Sequence, residues 1–267
     1  MKRIALPLVL VGVFAASGAF GADLARPVYK APVIAPPVAF SWTGFYVGGF
    51  GGAGFGSEDP VDLNEYGFQT IAGIPRSGSN HMWAYDLQPG FFGGGTVGFN
   101  YQISNFVFGI EGEGGFMRLT GSARDPMSPG QDVLSTATLG DWYAMVTGRA
   151  GYAWDRALLY AKGGVVFTRE NANILDSCVG NGTPAAPCGP VTISATGTNN
   201  VTAPVFGGGF EYAFTNNWSA KAEYLFWALH DHFNVTGVAS NGATYAWEHS
   251  FSGLHTVKVG INYSFRP

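Results

Sequence analysis

The side chains with the greatest capacity for chemistry lie in one short stretch of the carboxyl-terminal half. They are one serine, two acids and four histidines: His230, Asp231, His232, Glu248, His249, Ser250 and His255. A serine hydrolase needs a serine oriented by a histidine, with an acid behind that histidine. His249 and Ser250 are adjacent, as are His255 and Thr256, and adjacent side chains on a strand point to opposite faces. Neither pair makes an obvious dyad, so the sequence favours a protein that is not an enzyme.

His230 and His232 are a second candidate, because residues two apart share one face of a strand. Such a pair could bind a transition metal or a haem at the surface. Polar rim residues that meet water or lipid headgroups are a commoner explanation, and this stretch has no carboxylates spaced as in a calcium loop. We therefore expect no cofactor and no metal.

Charged residues also recur inside segments whose polarity alternates. Four acids and four bases occupy such positions: Glu111, Glu113, Arg149, Lys162, Glu211, Lys221, Glu223 and Lys258. In each segment apolar residues occupy one parity and the charges, with Asp141 among them, occupy the other. The alternation predicts that these charges share one face of a sheet and that the equal numbers of acids and bases pair there.

The elements that would position these charges are eight segments of strand-like composition. They span residues 41–54, 87–103, 106–119, 139–153, 157–170, 201–214, 218–230 and 250–265. The connections alternate in length: those at 55–86, 120–138, 171–200 and 231–249 are long, and those at 104–105, 154–156 and 215–217 are short.

Alternating connection lengths are typical of outer-membrane barrels, which have short periplasmic turns and long extracellular loops. The sequence therefore predicts an all-β fold: an eight-stranded antiparallel up-and-down transmembrane barrel with four long extracellular loops and three short periplasmic turns. The interior of so small a barrel is filled by side chains, so we expect a packed, salt-bridged plug rather than a pore.

The composition narrows the possible classes of protein. Only 12% of the 267 residues are charged, 40 are glycine and 15% are aromatic. Beyond the amino-terminal stretch no apolar run reaches the roughly 18 residues of a spanning helix. The formal charge of −4 provides no basic surface for nucleic acid. A soluble β-sandwich remains the formal alternative to a membrane barrel.

The first 21 residues are typical of a secretory signal peptide. Basic Lys2 and Arg3 precede an apolar core at 4–16, and Ala19 and Gly21 supply the small residues before cleavage after Gly21. A retained membrane anchor is the less favoured alternative, because the apolar core is short. Residues 22–40 hold four prolines and predict an extended periplasmic linker, and residues 41–267 form the barrel domain.

Cys178 and Cys188 are the only cysteines, and they lie in a stretch rich in glycine, proline and asparagine. An exported chain meets an oxidising compartment, where two such cysteines favour pairing. A zinc site would want four ligands, and no histidine lies near either cysteine. We predict a disulfide between Cys178 and Cys188 that closes one loop.

Four motifs carry a resemblance to a known family: WTGFYVGG at 42–49, GRAGYAWDRALLYAKGG at 148–164, NWSAKAEYLF at 217–226 and VKVGINYSF at 257–265. Together they resemble the outer-membrane immunogenic proteins of alphaproteobacteria, a porin-like barrel family distantly similar to the barrel of outer membrane protein A. Members typically end on an aromatic residue that resembles the signal read by the barrel-assembly machinery. This chain adds Arg266 and Pro267 after Phe265, which puts that signal in doubt.

The resemblance implies a structural protein of the cell outer membrane that supports envelope integrity and presents surface loops. Its expected partners are outer-membrane lipid and lipopolysaccharide, the barrel-assembly machinery, and environmental or host ligands at the loops. A narrow porin for small solutes is the alternative function, and an enzyme that modifies lipid A is a more distant one.

Overall fold

The protein is described by a computed structural model that covers residues 40–56, 58–62, 82–124, 133–176, 192–240, 242 and 244–265. Twelve strands lie in these ranges: β1 (Gly44–Gly56), β2 (Glu58–Asp62), β3 (Met82–Asp86), β4 (Gly90–Ile103), β5 (Phe106–Arg124), β6 (Val133–Trp154), β7 (Ala157–Asp176), β8 (Ile193–Ala213), β9 (Trp218–Trp227), β10 (Asp231–Val238), β11 (Thr244–Phe251) and β12 (Leu254–Phe265).

Eight of these strands close into a barrel in the order β1-β12-β9-β8-β7-β6-β5-β4. Every neighbouring pair is antiparallel, and β1 completes the ring by pairing with both β12 and β4. Ser104 and Asp155 begin two of the tight turns with φ angles of 55° and 52°, the left-handed backbone that suits such hairpins. The prediction of an eight-stranded antiparallel up-and-down barrel is confirmed.

Two of the four predicted long loops, at 55–86 and 231–249, contain strands that the sequence did not predict. These strands form a second sheet in the order β10-β11-β2-β3. Some predicted boundaries change as a result. Ser250 belongs to β11 rather than to the last barrel strand, which begins at Leu254, and β9 ends at Trp227 rather than His230.

The strands β5 to β8 extend well beyond their predicted ends and contain 19 to 22 residues each. Their extra residues alternate between a buried apolar face and an exposed polar one. Ala137, Ile174, Ile193 and Ala195 point inward and are buried, whereas threonines and asparagines point outward. The polar residues on the outer face are also typical of loops. For this reason the sequence predicted loops at these positions.

A belt of exposed apolar side chains surrounds the lower part of the barrel. On β5 it runs from Phe106 to Phe116, and on β7 from Leu159 to Phe167, spans of eleven and nine residues. A tilted strand needs about 9–11 residues to cross a bilayer. The belt therefore has the height of a hydrocarbon core. Among the described residues, no helix is long and apolar enough to span a membrane.

Asp141 departs from the predicted alternation. It is exposed at the top of the belt instead of facing the interior. The register between β6 and β7 shifts between Leu139 and Tyr143, Gly140 and Asp141 have φ angles of 115° and 78°, and the alternation is the same on both sides of the shift. A β-bulge thus turns one acid outward without disturbing its neighbours, which periodicity alone does not predict.

The glycine-rich strand β4 requires glycine where it meets β5. Gly94 pairs with Gly115, and a Cβ on Gly94 would overlap the carbonyl oxygen of Gly114 and lie 2.7 Å from the Cα of Gly115. A Cβ on the neighbouring Gly95 would lie 3.7 Å from the Gly48 oxygen, an ordinary contact. The inner face of this hairpin therefore has no space for a side chain at Gly94.

Replacing Gly94 by valine is expected to destabilise the barrel by about 1–3 kcal/mol, because the added side chain forces the two strands apart. The matched control, Gly95→Val, is expected to change stability by less than about 0.5 kcal/mol. The measurement is urea unfolding in lipid vesicles, followed by gel mobility of unboiled samples. Equal midpoints for the two variants would contradict the close approach.

Candidate functional site

The eight charged residues predicted to face the interior all lie inside the barrel. They come from six strands, and each is at most 6% exposed. Each occupies the inward parity of its strand, so the alternation of the sheet gathers side chains that are far apart in sequence. The lumen therefore holds four carboxylates and four cations in a small volume.

Three glutamates and three lysines form the larger part of this network. Lys162 hydrogen-bonds Glu111 and lies 3.4 Å from Glu223. Lys221 Nζ lies 3.2 Å from Glu111 Oε2. Lys258 hydrogen-bonds Glu113, and its Nζ lies 2.9 Å from Glu223 Oε2. Every carboxylate thus contacts at least two ammonium groups, as a water-poor interior demands.

Arg149 and Glu211 form a second part of the network. Arg149 Nη1 lies 3.0 Å from Glu211 Oε2, and Arg149 Nε donates to Asn100 Oδ1 at 2.8 Å. Glu211 also accepts hydrogen bonds from Asn262 Nδ2 at 2.8 Å and from the Ser219 hydroxyl. Several partners hold the pair, so neither charge is left alone in the lumen.

Three tyrosines complete the coordination of the glutamates. Tyr46 donates to Glu111 at 2.7 Å, Tyr143 to Glu113 at 2.9 Å, and Tyr160 to Glu223 at 2.7 Å. The sequence analysis missed these roles, although Tyr160 had the polar parity. A tyrosine of inward parity beside buried acids is the signal that predicts such a hydrogen bond, since a buried hydroxyl needs a partner.

Carboxylate oxygens of Glu111, Glu113 and Glu223 lie within 4.8 Å of one another, and such a group could hold a cation. Lys162 contacts all three of these glutamates, and Lys221 and Lys258 supply two further ammonium groups. Lysine side chains therefore provide the positive charge that these acids need, and the arrangement suits a structural network better than a metal centre.

An apolar cluster closes the periplasmic end of the lumen. Trp42 is buried there against Val107, Ala153 and Leu158, and Phe40 packs on it. The Trp42 indole donates to the Asp155 carbonyl at 3.2 Å, and its backbone N–H donates to Gln102 Oε1 at 2.7 Å. This end of the barrel is therefore filled by the segment that leads into β1.

A larger apolar cluster closes the extracellular end. Phe50, Phe92, Tyr143 and Trp227 form its lower layer, just above the charges. Its upper layer consists of inward residues of the extended strands and of the hairpin β10–β11: Leu119, Leu139, Ile174, Ile193, Val235, Trp247 and Phe251. The charged network thus lies between two water-excluding layers.

The hairpin β10–β11 distributes the candidate catalytic residues over two faces. His249 is fully buried and stacks on Phe233, and neither ring nitrogen has a hydrogen-bond partner among the described residues. His232 pairs with Ser250 across the hairpin, and His232 Nδ1 lies 3.2 Å from Glu248 Oε1. This cross-strand set was not predicted, because the sequence pairs only residues that are adjacent or two apart on one strand.

The two remaining histidines make hydrogen bonds outside that set. His255 accepts or donates a hydrogen bond at 2.7 Å with the Tyr224 hydroxyl on the outer wall, and His230 Nδ1 lies 3.3 Å from the Ala228 carbonyl. Among the described residues, the potential metal ligands that converge in a group of three are the lumen glutamates, not His230 and His232. Cys178 and Cys188, the predicted signal peptide and all of the predicted linker except Phe40 lie outside the described residues, so these predictions stay predictions.

The chain is similar to known proteins of the outer membrane. The family model described as "Outer membrane protein beta-barrel domain" matches residues 10–265. The 31 kDa outer-membrane immunogenic proteins of Brucella melitensis biotype 1 and Brucella suis biovar 1 are each 30% identical to this chain, over 97% of it and 98% of their own length. Among solved structures, OprG from Pseudomonas aeruginosa covers 84% of this chain and 97% of its own, with 9% identity and a TM-score of 0.48.

A closed β-barrel with an apolar outer belt is the architecture of an outer-membrane protein. The chain belongs to the outer membrane protein beta-barrel domain family, and the resemblance to the outer-membrane immunogenic proteins is confirmed.

Replacing Lys162 by methionine is expected to destabilise the barrel by about 3–5 kcal/mol, because it leaves three buried carboxylates short of a counter-charge. Arg156→Met removes a cation from the exposed turn after β6 and is the control, with an expected change below about 1 kcal/mol. Denaturant unfolding of both variants in lipid vesicles measures the difference. Equal stability would show that Lys162 is not needed to neutralise the acids.

Burial lowers the pKa of His249 from 6.5 to about 4. The unfolded hairpin therefore binds a proton more readily than the folded one, so hairpin stability is complete above pH 6.5 and falls as the pH drops towards 4, by ~3 kcal/mol in all. His249→Leu is expected to remove this part of the pH dependence. Hydrogen exchange of β10 and β11 between pH 7 and 4 checks it, and identical profiles for the two proteins would contradict it.

Proposed function

We propose that the protein is a closed structural barrel of the outer membrane, which supports the envelope and anchors a β-structured extension on the extracellular side. One observation carries this proposal: eight paired charges fill the lumen between two apolar clusters. Membership of the family supports a location in the outer membrane. The filled interior argues against a pathway for solutes.

The arrangement of the lumen disfavours the passage of ions. A hydrated ion entering at the periplasmic end would have to displace Trp42, which is held by two hydrogen bonds. It would then have to separate Lys162 and Lys258 from the glutamates, and breaking a buried pair typically costs about 3–5 kcal/mol. Phe92, Tyr143 and Trp227 would present a final apolar barrier.

The extracellular extension is built for display rather than for transport. Its inner face is apolar and continues the packing of the barrel, while its outer face carries hydrogen-bonded polar side chains. Thr196 donates to Asn173 at 2.6 Å, and Thr198 donates to Asn171 at 2.8 Å. We infer that this rigid, wettable surface meets the environment or host molecules, in line with the name of the Brucella relatives.

Assembly in the outer membrane would use the last strand. Phe265 ends β12, points outward and pairs with Phe45 of β1 at the barrel seam. We infer that the barrel-assembly machinery reads this aromatic residue although two residues follow it in the sequence.

The purified mature protein in planar lipid bilayers is expected to give no discrete conductance steps, with an established porin as the positive control. Single-channel recording is the measurement. Steps whose ion selectivity changes in Glu111→Gln, a residue buried in the network, would overturn the closed-barrel proposal and establish the alternative of a narrow porin.

A further inference from the structure

The outer wall of the barrel carries an unusual group of charges at the upper edge of the apolar belt. On the described parts of the barrel strands, the exposed or partly exposed side chains with a permanent charge at this height are Arg118 of β5, Asp141 of β6 and Arg169 of β7. Outward side chains at the same height on the other strands carry no permanent charge. The three residues lie on adjacent strands and form one patch.

The height of this patch is set by its neighbours. Phe116, Trp142 and Phe167 lie directly below it, at the upper end of the apolar belt on their strands. Thr120 and Asn171 follow above it. Aromatic residues mark the interface between hydrocarbon and headgroups, so the charges lie at the level of the outer-leaflet headgroups.

The two guanidinium groups are available for a ligand. The Arg118 side chain makes no hydrogen bond or ion pair with any described residue, and the Arg169 side chain has a single long contact, from Nε to Asn200 Oδ1 at 3.4 Å. Arg118 of β5 pairs with Gly140 of β6. The bulge that follows Gly140 lies opposite Arg169 of β7. The two arginines therefore flank β6 on one face, with neither neutralised by the exposed Asp141.

We propose that Arg118 and Arg169 form a binding site for a phosphate group of an outer-leaflet glycolipid. Arginine forks match the geometry of phosphate oxygens, and such charge-assisted bonds are among the stronger ones available to a side chain. A charged side chain that faces lipid is tolerated at the interface, where a headgroup phosphate balances it. The site depends on the membrane placement of the barrel but not on whether its lumen is closed.

The acid at the bulge, Asp141, allows a test in which removing a negative charge should strengthen binding. Asp141 repels a phosphate, and its backbone conformation is one that asparagine also adopts readily. Asp141→Asn should therefore strengthen lipid binding about two- to threefold without straining the chain, whereas losing both arginines should weaken it about tenfold or more.

The experiment titrates the full mature protein in detergent with bis-phosphorylated lipid A and counts bound lipid by native mass spectrometry. Arg118→Gln with Arg169→Gln is expected to weaken binding, Asp141→Asn to strengthen it, and Arg156→Gln at the opposite rim to leave it unchanged. Dephosphorylated lipid A is expected to bind the wild type as weakly as the double variant binds the phosphorylated lipid.

Three results would overturn the site. Equal binding by the double variant and the wild type would show that the two arginines do not bind the lipid. An equal loss of binding in Arg156→Gln would show that binding depends only on the overall charge of the protein. Displacement of the lipid by an equal concentration of inorganic phosphate would indicate a site for soluble anions instead. Conductance of the same preparations reports on the lumen separately, so failure of the lipid site and failure of the closed barrel are distinguishable.

Discussion

The structure depends on one constraint: a charge inside an eight-stranded barrel is removed from bulk solvent and needs an opposite charge beside it. Each of the four interior carboxylates is therefore matched by ammonium or guanidinium groups from other strands, and three of them also accept a tyrosine hydroxyl. The register of the sheet is tied to this pairing. A slip of one residue in any charged strand would move its charge into the hydrocarbon, so the network specifies the register as well as filling the space.

The membrane-spanning part of the fold follows closely from sequence periodicity, because lipid on one side and a crowded lumen on the other impose strict alternation. The extension was harder to predict for the opposite reason. Its outer face meets water and carries threonine and asparagine, so residues 120–138 and 171–200 have the composition of loops even though Ala137, Ile174 and Ile193 line a core. The hairpin β10–β11 pairs His232 with Ser250, a relation that no spacing in the sequence reveals. Asp141 was misplaced because a bulge changes local geometry without changing the pattern on either side.

Polarity is layered along the barrel axis. An apolar layer around Trp42 lies at the bottom, the ion pairs lie in the middle, and aromatic residues such as Tyr143 and Trp227 lead into the apolar core of the extension. The two apolar layers lower the effective dielectric around the charges, which strengthens their attraction and raises the penalty for separating them. The extension and the lumen are therefore energetically linked, although one lies outside the hydrocarbon belt and the other within it.

Trp42 gives the barrel a particular mechanical property. It is the first fully buried side chain of the described chain, and its indole and backbone N–H are fastened to the turn at Asp155 and to Gln102. Tension on the chain ahead of Phe40 would reach the barrel through this indole before it reached any hydrogen bond between strands. The tryptophan would thus distribute the applied force over the periplasmic rim. The hydrogen bonds between β1 and β12 would then be less exposed to that force.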